Sequence, residues 1–152
     1  MPPTTNSFEE HLVKELVKLM EAFLLDNYGS VAEVLPGQEK DVEVSPRVVV
    51  SATSMIEAIF NTGIYEATVE FTARINLDAE GATDQSNADS IGELYGAIMD
   101  FVQQPELKQQ LIATGKLRIQ GIVLEDARLD TVDDRRWWKG CNVKFYGYAT
   151  PG

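Results

Sequence analysis

Carboxylates are the commonest groups in this chain that could do chemistry, and two clusters of them stand out. Asp78, Glu80, Asp84 and Asp89 surround Gly81, and Glu125, Asp126, Asp133 and Asp134 crowd a later segment. A calcium loop needs oxygen ligands at alternate positions and a glycine at the sixth. Counted from Asp78, Gly81 is the fourth and the alternation fails, so the first cluster reads as a solvated loop. The second cluster could hold a metal or pair an acid with a base. No histidine accompanies it, and Arg128, Arg135 and Arg136 flank it, which makes solubilising turn charges the simpler reading. His11 is the single histidine and sits off the apolar stripe of its helix, without a partner for proton transfer. Cys141 is the single cysteine, so there is no intrachain disulfide and no cysteine-based zinc site. Among bulky strand residues it reads as a small buried hydrophobe rather than a nucleophile. No phosphate-binding loop, dinucleotide fingerprint or GxSxG motif occurs. Gly92 and Gly96 have the spacing of close packing on a helix. The expectation is a chain that is not an enzyme and holds neither metal nor cofactor.

Charge narrows the partners. The net charge is −11, and binding to phosphate backbones or anionic membrane needs a basic surface. The charge is also segregated. Lys116–Gly152 carries 7 basic and 5 acidic residues, and the rest of the chain 6 and 19. No run of about 18 apolar residues is present, so no membrane span is expected. The first residues lack the basic-then-apolar character of a secretion signal. Synthesis in a reducing cytosol is the expectation.

The elements that must position these groups are organised around one stretch, Ile64 to Leu77. Tyr65, Ala67, Val69, Phe71, Ala73, Ile75 and Leu77 are apolar, and Glu66, Thr68, Glu70, Thr72, Arg74 and Asn76 between them are polar. Period two over that length is a β-strand with one dry and one wet face. Residues 1–7 read as a loose N-terminal tail. Ser7 and Glu10 form a capping box before a helix from about Phe8 to Leu25, with Phe8, Leu12, Leu16, Leu19, Met20 and Phe23 at helical spacing. Short apolar pieces between Val31 and Ser45 could pair as a minor strand. A second strand reads from Pro46 to Ala52, its consecutive valines suggesting burial on both faces. Ser54 to Gly63 reads as the connection to the long strand, with Met55, Ile56, Ile59 and Phe60 close together. Residues 78–89 read as a mobile acidic loop. A second helix starts at Ser86 or Asn87 and carries Ile91, Leu94, Tyr95, Ile98, Met99 and Val102. Pro105 interrupts it, and Gly115 stops a short continuation. Strands from Leu117 to Leu129 and from Arg135 to Ala149 close the chain as a hairpin. With 152 residues, 44% of them hydrophobic, the expectation is a single α+β domain. Its antiparallel or mixed sheet carries helices packed on one face.

Adjacent Trp137 and Trp138 must point to opposite faces of their strand. Trp138 shares ladder parity with Lys144, Tyr146 and Tyr148, an aromatic set beside a cation that suits a protein–protein contact. The candidate interface is therefore Trp138, Tyr146, Tyr148, Lys144, Arg135 and Arg136. The apolar cluster Met55, Ile59 and Phe60 is a second anchor. Trp138 is the expected hot spot.

Taken together, FEEHLVKELVKLMEAF, PRVVVSA, TVEFTARINL, SNADSIGELYGAIMDF and the LRIQGIVLED…DRRWWKGCNVKFYGYA ending resemble the tail terminator, or tail completion, proteins of long-tailed bacteriophages. The resemblance covers about Phe8 to Ala149. It implies a structural virion protein, a small α+β subunit that forms a homo-oligomeric ring, commonly a hexamer. That ring caps the tail tube and joins it to the head or neck. The implied partners are the tail tube protein and a neck or head-completion protein, with DNA passing through the lumen unbound. The implied location is the tail or neck of the virion, after assembly in the host cytoplasm. No catalytic residue is carried over.

Two other classes compete. An acidic DNA mimic of the anti-restriction type would space carboxylates along one face, whereas the acids here are scattered over helix, loop and turn. A small-molecule-binding α+β domain would need polar groups converging between helix and sheet, and the dry face of the long strand offers only the Tyr65 hydroxyl.

Overall fold

The alternating strand lies at the centre of the sheet. In a computed structural model of the chain, described over residues 5–28, 33–36, 47–59, 63–76, 84–132 and 136–150, it is β3, Ile64–Asn76. The remaining elements are α1 (Thr5–Tyr28), β1 (Glu33–Pro36), β2 (Arg47–Ile59), α2 (Asp84–Val102), α3 (Leu107–Ala113), β4 (Leu117–Val132) and β5 (Arg136–Ala149). The strands form one sheet in the order β1-β2-β3-β5-β4. Every pairing is antiparallel except that of β1, whose four residues run parallel to Arg47–Val50.

Alternation decides which face is covered. Ala67, Val69, Phe71 and Ala73 of β3 and Cys141, Val143 and Phe145 of β5 lie in one buried cluster with residues of all three helices. On α1, Phe8, Leu12, Leu16, Met20 and Leu24 recur every fourth residue and are all at most 1% exposed. On α2, Ile91, Leu94, Ala97, Ile98, Phe101 and Val102 are buried. Phe101 joins the layers: its ring centroid is 5.5 Å from Phe23 of α1 and 6.1 Å from Phe71 of β3. Pro105 separates α2 from α3, which buries Leu107 and Leu111. Gly115 then takes φ +78°, where a side chain would be strained, and its N–H donates to the Ile112 carbonyl at 3.0 Å. The α+β fold with helices on one face is the architecture expected from the sequence.

Several boundaries differ from the expectation. Helix α1 begins at Thr5, inside the stretch read as a tail. Residues 84–89 are the first turns of α2 rather than loop; residues 77–83 fall outside the described part. Strand β2 continues through Ile59, so Met55 and Ile56 are strand residues, not a connection. Two bulges, at Thr53 and Ala58, shift the ladder there. They break the alternation that would have announced a strand. The minor strand read before Ser45 is β1.

The face turned away from the helices is not uniformly wet. Val49, on the opposite side of β2 from Val48 and Val50, is 1% exposed, and Thr72 is 2% exposed. Thr72 lies opposite Gly140, and a Cβ at Gly140 would come within 3.2 Å of the Thr72 hydroxyl oxygen. The hydroxyl thus fills space that a side chain would need, and it donates to Glu70 Oε1 at 2.8 Å.

Candidate protein interface

At the other end of that face Ile56 and Val123 reach solvent. Ser54, Thr68, Lys144 and Val123 stand in one ladder row across β2, β3, β5 and β4. Two residues along each strand, Ile56, Glu66, Tyr146 and Gly121 form another row on the same face. Tyr148 comes next along β5, opposite Arg118. Ile56 is 58% exposed and Val123 50%, large values for apolar side chains in a sheet. Tyr146 and Tyr148 are half-buried.

Lys144 is held at the middle of this surface. Its Nζ lies 3.2 Å from Glu66 Oε1 on β3 and 3.5 Å from Glu125 Oε1 on β4. The hydrogen bond from Lys144 to Glu66, then the charge of Glu125, raises the lysine pKa above the ordinary 10.5. The pairs orient Lys144 across three strands and leave it partly exposed, where ion pairs stabilise little and define geometry more. The arrangement is a rigid polar centre with tyrosines and aliphatic side chains around it. That composition suits docking rather than bond chemistry.

The structure separates the other candidates read from the sequence. Met55 points to the helix side and packs half-buried against the core, in register with Ala67. It is therefore not part of the outer surface. Ile59 pairs with Ile64 at the hairpin end. Phe60 and Arg135 lie outside the described residues, as do the side chains of Ile59, Arg136 and Trp138. Trp138 pairs with Arg74 and Thr131. It stands eight positions from Tyr146 along β5, about 26 Å at 3.3 Å per residue.

Ile56, Val123, Glu66 and Glu125 belong to this candidate surface, and the sequence pattern did not reveal them. Ile56 is hidden because the bulge at Thr53 reverses the parity set by Val48 and Val50. Val123 is hidden because β4 has register breaks at Gln120, at Glu125 and between Asp126 and Leu129. Each inserted residue reverses the face of the residues after it, so Ile119 is in the core and Val123 outside.

A cleft of about 410 Å³ opens between the α2–α3 break and β4, lined by Val102, Pro105, Lys108, Ile122 and Leu124 among others. Its polar groups are engaged locally: Gln104 Nε2 donates to the Phe101 carbonyl at 3.0 Å and Lys108 Nζ to the Gln120 carbonyl at 3.4 Å. They do not converge on a common point as a small-molecule site requires. Among the described residues no three His, Cys, Asp or Glu side chains gather as metal ligands. No helix among them is long and apolar enough to cross a membrane. No protein-family model and no curated protein sequence matches the chain.

Proposed function

We propose that the chain is a structural subunit of the phage tail terminator kind. It acts as a homo-oligomeric ring that caps the tail tube and connects it to the head or neck of the virion. It performs no catalysis, uses no cofactor, and lets DNA pass through the lumen without specific contact. The observation that carries the reading is the uncovered sheet surface around Lys144, where Ile56, Val123, Tyr146 and Tyr148 reach solvent on a rigid ladder. Exposed apolar side chains at regular strand positions call for a partner. Segregated charge, with the surplus of bases confined to Lys116–Gly152, fits head-to-tail contacts. Ring interfaces join two different patches, and complementary charge orients them. The terminator resemblance of the chain supplies the biological setting.

The test is size and shape, then assembly. Sedimentation should give a mass several times 16.9 kDa, and negative-stain images should show rings that seat on the ends of purified tail tubes. A protein that stays monomeric at all concentrations, with and without tails, overturns the proposal.

A further inference from the structure

Two stretches at opposite sides of the sheet match one another. Strand β1 ends at Pro36, opposite Val50. Among the described residues no strand pairs with Ser51–Ile59 on the side away from β3. The same holds for β4 on the side away from β5. Open edges invite pairing, and bulges blunt them. Both edges are bulged, and each keeps one regular window: Ser54–Glu57 between the breaks of β2, Gly121–Leu124 between those of β4. These windows lie in the same ladder rows. Ser54 is level with Val123, Met55 with Ile122, and Ile56 with Gly121, across β3 and β5. Three successive antiparallel pairings make β2 and β4 run in opposite directions.

We infer that the subunits of the ring are joined by antiparallel pairing of the β2 window of one copy with the β4 window of the next, over these windows alone; the inference rests on the ring reading above. Carrying the rows across the seam sets Val123 opposite Ser54 of the next copy and Gly121 opposite its Ile56. Gly121 has no side chain, and its nearest neighbour is the Tyr146 ring at 3.8 Å from a notional Cβ. Ile56 of the next copy is thereby received over Gly121, between Tyr146 and Val123. Exposed Ile56 and Val123 thereby come side by side across the seam. On the helix side, Met55 of the next copy comes level with Ile122, beside the cleft of about 410 Å³. One row on, its Glu57 comes level with Ile119, beside the bulged Gln120 whose carbonyl accepts from Lys108. Backbone bonds and apolar contacts act at one seam.

The test is a paired cysteine substitution, Ser54→Cys with Val123→Cys, in the full chain; native Cys141 is fully buried. Mild oxidation should give a ladder of disulfide-linked multimers on a non-reducing gel, and neither single variant should do so. Ile56→Asp, at an exposed position, should weaken oligomers about tenfold or more with an unchanged melting temperature of the subunit. If the wild type sediments as an oligomer but the double variant does not cross-link, the seam is wrong and the ring reading stands. A single variant that cross-links as well as the pair also overturns the seam. A wild type that is monomeric at every concentration overturns both.

Discussion

Phe71 on β3 and Phe101 on α2 are both fully buried, with ring centroids 6.1 Å apart and planes tilted by 58°. This contact fastens the central strand to the helix layer. Phe71→Ala would leave a cavity between two rigid elements. The expected loss of unfolding free energy is about 3–5 kcal/mol, read from urea denaturation. A loss below about 1 kcal/mol would mean that the layers collapse onto the gap.

Gly147 is held by close backbone packing. A Cβ there would strike the Arg118 carbonyl and come within 3.1 Å of Ile119 Cα, and backbone atoms cannot swing aside. Gly147→Ala should destabilise by about 1–3 kcal/mol or more. Gly121→Ala, whose Cβ would meet only the Tyr146 ring at 3.8 Å, should leave the subunit's stability nearly unchanged. Parallel urea titrations of the two variants check the contrast.

Lys144 gives a pH signature with a definite sign. Its pKa is raised in the folded protein above the ordinary 10.5 by Glu66 and then Glu125. The folded state therefore binds this proton more tightly. The stabilisation is fully present below the unfolded value and is lost as pH rises through the folded one. The difference in denaturation midpoint between wild type and Lys144→Met should be constant from about pH 7 to about pH 9 and shrink above about 10.5. Salt should shrink it as well, because the group is partly exposed. A difference that grows at high pH would contradict the assignment.

Duplex DNA should not bind measurably at about 150 mM salt. With a net charge of −11, the chain repels phosphates overall. Fluorescence anisotropy with a labelled duplex checks this, and a micromolar dissociation constant would count against a lumen that passes DNA freely.

Local pattern was enough to set the layering and its dry face. Uninterrupted alternation from Tyr65 to Ala73 permits only one register against the helices, since a slip of one residue would turn Glu66 and Glu70 into the core. Spacing of four along α1 and of three and four along α2 likewise decided which sides of the helices are buried, and Pro105 and Gly115 decided where α2 and α3 stop. The candidate surface was legible only in β5, because β5 pairs with β3 without a break and Lys144, Tyr146 and Tyr148 keep their parity. The remainder emerged only when the strands were assembled. The bulges at Thr53 and Gln120 put Ile56 and Val123 on the outer face, and a bulge arises from how two distant strands meet, which local periodicity does not encode. The level placing of the two edge windows is of the same kind. It depends on three ladders in succession, β2 with β3, β3 with β5 and β5 with β4. Register across a sheet is summed over long-range pairings, so no single stretch of chain carries it.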